Sequence, residues 1–213
     1  AIATEHFQPI NRLLDLQEPT FDGERVHTPT ELKRALRAFC DAGLMAAGQD
    51  FELGGMQLPC VVEKACFAWF NGASVAAAGY PLLTIGNANL LLAHGSPELV
   101  DRFVKPMLTG RYLGTMCLSE PQAGSSLSDI RTRAEPQPDG SYRLTGNKMW
   151  ISGGDQDLSE NIVHLVLAKI PGDDGQLLPG VKGISLFVVP KVLPEGRNDV
   201  VLAGLNHKMG FRG

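Results

Sequence analysis

The chain has 213 residues, 44% of them apolar and 20% charged, and a formal net charge of −4 at pH 7. That apolar fraction is enough for a sizeable core in one large domain or two small ones. The negative charge argues against a nucleic-acid partner, because phosphate backbones are bound by an excess of Lys and Arg. We therefore expect a globular protein that does not bind nucleic acid.

Cysteine and histidine usage argues against a disulfide-bonded protein and against a metal-binding protein. The four cysteines (Cys40, Cys60, Cys66 and Cys117) show neither a paired framework nor C-x-x-C spacing, so we expect free thiols in a reducing compartment. No signal peptide is evident at the start, and we expect a cytoplasmic location. The five histidines lack the spacing of a metal site.

The first half of the sequence has the apolar period of helices. The longest apolar run, 75–93, is interrupted by Gly, Pro and Asn, which favours a core helix over a membrane span. In the helix after Pro59 we expect a buried side made of Val62, Cys66, Trp69, Phe70 and Ala73. Helices are predicted at 10–16, 29–43, 59–73, 82–93 and 96–109.

Near residue 112 the apolar period changes from 3.6 to 2, and a loop of about 13 residues is expected at 171–183. Helices followed by strands indicate an α+β fold rather than a doubly wound sheet. The sequence thus predicts an N-terminal all-helical domain (1–111) and a middle β domain (112–213). Strands are predicted at 112–118, 130–135, 141–145, 148–152, 162–169 and 184–189.

One stretch, Met116 to Ser126, runs from an apolar strand into a loop of small residues. Pro121 fixes one φ angle, and Gly124 can take a positive φ and let a ligand approach the backbone. Backbone N–H groups and the serine hydroxyls of such a loop can cradle an anion. An ordinary surface turn has the same composition, so the stretch alone leaves both interpretations open.

A second stretch, Lys148 to Gly154, is a predicted strand that ends in glycines. The two stretches together, S-E-P-Q-A-G-S and K-M-W-I-S about 25 residues apart, resemble the flavin-binding signatures of the acyl-CoA dehydrogenase family. The segments 157–168 and 206–210 are most similar to the long-chain-length branch, which includes the 3-(methylthio)propanoyl-CoA dehydrogenases. The resemblance extends over nearly the whole chain.

The resemblance implies a helical N-terminal domain followed by a β-barrel-like middle domain, and FAD as the cofactor. In the family a C-terminal four-helix domain follows, and we expect it to be absent from these 213 residues and the barrel to be incomplete. The family's catalytic base, a glutamate, lies in that C-terminal domain in most members. We therefore assign no catalytic residue within the chain.

Family resemblance also assigns the site residues. Ser119 would hydrogen-bond the pyrimidine edge of the flavin ring, where fixed donors stabilise the negative charge of the reduced flavin. Trp150 would pack on the ring, although a Trp in a strand is more often plain core. The predicted cofactor-binding residues are Met116, Leu118, Ser119, Gly124, Ser125, Trp150, Ile151 and Ser152, with Ser125 also near the substrate's CoA portion.

The implied activity of the full-length protein is oxidation of the Cα–Cβ bond of an acyl-CoA thioester. The implied partners are an acyl-CoA substrate, an electron-transfer flavoprotein and further copies of the chain, in a dimer or tetramer. Three alternatives remain: an acyl-CoA oxidase, an alkylation-response flavoprotein that binds nucleic acid, and a scaffold without flavin. The net acidity disfavours the nucleic-acid binder.

Overall fold

The computed structural model of the protein describes all residues from Ala1 to Gly213. Its first half is helical, and π-helical and 3₁₀ turns separate or extend the helices. The π-helical turn Val100–Val104 joins the last two helices into one helical stretch. The α-helices are Asn11–Leu16 (α1), Thr30–Asp41 (α2), Cys60–Ala73 (α3), Val75–His94 (α4), Pro97–Leu99 (α5) and Lys105–Leu108 (α6).

The second half holds a five-stranded mixed sheet, and two small two-stranded sheets lie outside it. The central strand is β6, which pairs in parallel with β3, antiparallel with β7, and through Arg133 and Lys169 in parallel with β4. The strands are Thr20–Phe21 (β1), Val26–His27 (β2), Tyr112–Cys117 (β3), Arg133–Pro136 (β4), Tyr142–Thr145 (β5), Asn161–Lys169 (β6), Ile184–Pro190 (β7), Val192–Leu193 (β8) and Gly196–Arg197 (β9).

Helix α4 joins the helical half to the sheet. It is apolar around most of its circumference, as expected for a helix inside a core. By length and composition α4 could cross a membrane, but 56% of its most apolar window is buried within the protein. Its Asn87 donates hydrogen bonds to the carbonyl oxygens of Thr115 (3.3 Å) and Val163 (2.8 Å). A Cβ on Gly114 would lie 2.6 Å from the Asn87 amide nitrogen, so only glycine admits this contact.

The two faces of β6 have different surroundings. Val163 and Leu165 pack against Ala88 and Leu91 of α4 in one apolar cluster. Since strand residues alternate between faces, His164 and its neighbours at positions 162 and 166 point to the other side. On that side lies the cavity described below. The sheet therefore has a helix-covered face and a cavity face.

The mixed helical and β architecture agrees with the α+β prediction, and the strands at β3, β5, β6 and β7 lie close to their predicted bounds. The predicted all-helical region also contains the β1–β2 hairpin. The last helical turn ends at Leu108 and β3 begins at Tyr112, but the domain boundary after residue 111 stays a prediction.

The predicted strand 148–152 is wrong. The chain leaves β5 at Thr145 and runs irregularly from Gly146 onward. Apolar alternation suggested a strand here, but tertiary contacts of Lys148 and Met149, described below, hold the segment in another conformation. The strand predicted at 130–135 begins only at Arg133, because the preceding backbone N–H groups bond a side-chain carboxylate instead of a strand.

Two helix predictions also need correction. Helix α4 begins at Val75 rather than near 82, since Ser74 caps it and Pro81 is accommodated inside it. A proline inside a helix costs about 3 kcal/mol, which the burial of the α4 side chains offsets.

On α3 the predicted buried side is wrong: Phe70 is buried, but Trp69 is 76% exposed. Val62 and Cys66 are exposed as well.

Candidate functional site

The structure brings the two motif segments together. The backbone N–H of Met149 donates to the carbonyl oxygen of Ser119 at 3.0 Å. The Lys148 ammonium donates to the Leu118 carbonyl oxygen at 3.1 Å and to Glu120 Oε1 at 2.9 Å. Segments about 30 residues apart in the sequence thus form one surface at the end of β3.

Glu120 is the centre of this junction, and its side chain is only 3% exposed. Its carboxylate accepts hydrogen bonds from the backbone N–H groups of Arg131 (2.7 Å) and Thr132 (3.0 Å) and from the Thr132 hydroxyl. Lys148 and the Gln122 amide complete the set. A buried carboxylate with this many donors is satisfied as an anion.

The pKa of Glu120 reflects this balance. Desolvation acts to raise it, and the bonds from Thr132, Arg131 and Lys148 outweigh desolvation and lower the pKa to about 2. Sequence analysis assigned Glu120 no role. A signal was available, because a carboxylate directly after a buried apolar strand needs a partner, but apart from Gln122 the partners lie 11 to 28 residues away.

Trp150 occupies a left-handed backbone conformation (φ 63°) and is 56% exposed. Such a conformation is rare for a bulky residue, and it turns the ring away from the core. The backbone N–H groups of Trp150, Ile151, Ser152 and Gly153 make no hydrogen bond within the chain. The segment therefore offers an aromatic face beside several free donors.

The small-residue loop also keeps donors free. The N–H groups of Gly124, Ser125 and Ser126 make no intrachain hydrogen bond. Gly124 does not have the positive φ that we expected, and a Cβ there would meet open space. The tight turn is made instead by reciprocal backbone bonds between Glu120 and Ala123 (2.8 and 3.0 Å). The loop thus has the free N–H groups that an anion cradle requires.

A cavity of about 1810 Å³ opens on the cavity face of the sheet. Of the predicted site residues, Trp150, Ile151 and Ser152 line it. Met116, Leu118, Ser119, Gly124 and Ser125 do not line it, although Ser119 is tied to the lining segment through Met149. The hydroxyls of Ser119, Ser125 and Ser152 have no hydrogen-bond partner in the chain.

Two further cavity residues were not predicted as site residues. Tyr80 of α4 lines the cavity, and burial raises its pKa to about 12. His164 also lines the cavity, and only one of its ring nitrogens is bonded: Nδ1 lies 2.7 Å from Thr115 Oγ1, and Nε2 has no partner. No group of three or more His, Cys, Asp or Glu is arranged to hold a metal ion.

Comparison with known proteins finds similarity to acyl-CoA dehydrogenases. Residues 115–213 match the model of the acyl-CoA dehydrogenase middle domain. The 3-methylmercaptopropionyl-CoA dehydrogenase of Ruegeria pomeroyi is 42% identical over 214 residues, which cover 98% of this chain and 36% of that protein. The broad-specificity linear acyl-CoA dehydrogenase FadE5 of Mycobacterium tuberculosis is 38% identical, with coverage of 93% and 33%.

Solved structures agree in fold. Caenorhabditis elegans ACDH-11, solved with C11-CoA, superposes with a TM-score of 0.83 at 20% identity, covering 99% of this chain and 37% of that one. A Bacillus anthracis acyl-CoA dehydrogenase complexed with FAD superposes with a TM-score of 0.75 at 26% identity, covering 99% and 32%. The chain spans about a third of the length of the curated relatives it matches.

Proposed function

Because the chain belongs to the acyl-CoA dehydrogenase family, whose middle domain matches residues 115–213, we propose that it is the flavin-holding part of an FAD-dependent acyl-CoA dehydrogenase. The observation that carries the proposal is the bond between Met149 and Ser119 (3.0 Å), which places the two motif segments side by side at the cavity. The substrate would be an acyl-CoA thioester, oxidised at its Cα–Cβ bond.

The residues present fit a flavin. The exposed ring of Trp150 offers a stacking surface for a flat heteroaromatic group. Unpartnered hydroxyls at Ser119 and Ser152 supply hydrogen-bonding groups for the polar edge of such a ring, and the free N–H groups at 124–126 suit a phosphate. When bound, the flavin supplies the redox chemistry, and the chain binds and orients it.

Electrostatics at the site favour the same proposal. The Lys148 ammonium already donates to the Leu118 carbonyl and to Glu120, so the lysine is not the group that would bind the ligand. The donors that remain free are neutral: backbone N–H groups and serine hydroxyls. Preorganised neutral donors stabilise negative charge on a ligand without reorganisation.

The proposed partners follow from the reaction. Electrons leaving the flavin need an acceptor, and we assign this role to an electron-transfer flavoprotein. We also propose a homo-oligomer of the full-length protein, in the cytoplasm. Transfer to oxygen instead would make the protein an acyl-CoA oxidase.

The test uses the full-length natural protein and a panel of acyl-CoAs with an artificial electron acceptor. A flavin spectrum that bleaches on addition of an acyl-CoA, with reduction of the acceptor, is expected. Oxygen consumption at a comparable rate would indicate the oxidase. Absence of flavin absorption from the purified protein would contradict the proposal.

A further inference from the structure

His164 is a buried polar side chain that, like Asn87, has one side-chain atom without a hydrogen-bond partner, and it is the one of the two that lines the cavity. It lies in β6 with 4% of its surface exposed, and it lines the cavity. Its Nε2 atom has no hydrogen-bond partner in the protein. Leaving a buried polar atom unpaired is unfavourable, so Nε2 requires a hydrogen-bond partner, which a ligand in the cavity can supply.

The bond on the other side of the ring favours one tautomer. His164 Nδ1 and Thr115 Oγ1 are 2.7 Å apart, which matches hydroxyl-donated bonds better than the 2.9–3.0 Å typical of N–H donors. Cys117 Sγ lies 3.6 Å from the same hydroxyl oxygen and can donate to it. With the Thr115 hydroxyl donating to Nδ1, the ring proton sits on Nε2 of a residue that lines the cavity.

Burial keeps the imidazole ring neutral. Desolvation lowers the pKa of His164 to about 4; Asp155 acts to raise it and Lys191 acts to lower it. Those two groups form an ion pair with each other, so their fields at the ring partly cancel. Burial also raises the pKa of the neighbouring Cys117 thiol, which stays protonated. At neutral pH the cavity therefore meets an uncharged N–H donor.

Thr115, which bonds the imidazole, lies close to the turn that follows Trp150. A Cβ built on Gly153 would lie 3.4 Å from Tyr80 Cε1 and 4.0 Å from Thr115 Cγ2. The residue that holds His164 in place is therefore a near neighbour of the turn that follows Trp150. A planar ligand stacked on Trp150 would lie beside this part of the cavity wall.

We propose that His164 donates a hydrogen bond from Nε2 to an acceptor atom of the flavin ring, and that Thr115 orients the imidazole for it. This inference rests on the proposed function. Reduced flavin is more electron-rich than oxidised flavin, so a fixed donor binds the reduced form more tightly. His164 thereby raises the reduction potential of the bound flavin.

The experiment measures the midpoint potential of the flavin in the full-length natural protein, in wild type and in His164→Phe. We expect the variant to retain flavin and to have a potential lower by about 30 mV, which for two electrons is a tenfold loss of preference for the reduced form. His164→Gln, whose amide N–H can reach the Nε2 position, should restore most of the potential. The matched control is His94→Gln, at the exposed end of α4.

The outcomes separate this inference from the proposed function. A flavin-loaded His164→Phe protein with unchanged potential and unchanged visible spectrum overturns the role of His164 and leaves the proposed function intact. Wild-type protein that binds no flavin overturns the proposed function itself. If the Phe variant does not fold, His164→Asn, which can replace only Nδ1, takes its place: it should lower the potential, and a wild-type potential in it overturns the inference.

Discussion

At the scale of single residues, Glu120 explains why the two motif segments stay together. Replacing it with Gln removes the charge and turns one acceptor oxygen into a donor that faces the N–H group of either Arg131 or Thr132. Breaking a buried pair of this kind costs about 3 kcal/mol. We expect Glu120→Gln to lower the thermal unfolding temperature clearly.

The matched control is Glu160→Gln, whose carboxylate pairs with Arg111 on an exposed surface. Surface pairs contribute little, so its melting temperature should stay near that of the wild type. Calorimetry or circular dichroism on both variants makes the comparison. Equal melting temperatures for the two would show that the Glu120 junction does not stabilise the fold.

His164 predicts a pH dependence of stability. Its folded pKa is about 4, below the ordinary 6.5, so between pH 6.5 and 4 the unfolded chain binds more protons than the folded one. The stability that the neutral His164 contributes is fully present above pH 6.5. It is lost as the pH falls towards 4, by about 3 kcal/mol in total. The free energy of unfolding, measured with denaturant at pH 7, 6, 5 and 4, should fall more steeply with decreasing pH in wild type than in His164→Gln. Parallel curves would contradict the assignment.

At the scale of elements, helix α3 presents an apolar but exposed side. Cys60 and Cys66 lie on this exposed helix, whereas Cys117 is buried and Cys40 is partly buried. Burial raises the pKa of Cys40 to about 11 and raises that of Cys117 as well, which suppresses both thiolates. A thiol reagent should therefore label two cysteines rapidly in the native protein and four after denaturation without reductant. Fewer than four reactive thiols in the denatured protein would show that some are not free.

The irregular segment after β5 is the element on which the proposed flavin binding would depend most. Trp150→Ala should weaken flavin retention or shift the flavin spectrum in the full-length protein, because the exposed ring is the stacking surface. Trp69→Ala on α3 is the control, since that ring is exposed at a distance in sequence and fold from both motifs. Unchanged spectrum and flavin content in Trp150→Ala, measured by absorbance after gel filtration, would count against a stacking role.

At the scale of the whole molecule, these 213 residues span about a third of their curated relatives. Family resemblance places the catalytic base and the contacts to the adenine half of FAD outside the part spanned. A positioned base contributes about 10² to 10⁴ in rate. We expect the isolated 213-residue chain to hold FAD weakly and not to dehydrogenate acyl-CoA. Turnover above background after FAD addition would show that a base lies within this chain.

The sequence by itself determined the succession of helices and strands, because hydrophobic period is a local property. It also located both motif segments and Trp150, since the residue types and their spacing can be read along the chain. It mispredicted the exposed side of α3, the start of α4 and the conformation of 148–152. In each case neighbours distant in sequence decide the outcome.

Only the tertiary structure decided what Glu120 and His164 do. A carboxylate and an imidazole are polar wherever they occur, and their roles depend on which donors and acceptors the fold brings within hydrogen-bond distance. Glu120 meets Thr132 and Lys148 because β3, the start of β4 and the segment after β5 converge. His164 faces the cavity because the register of β6 sets it opposite Thr115. Register and convergence arise from long-range pairing, which no local pattern encodes.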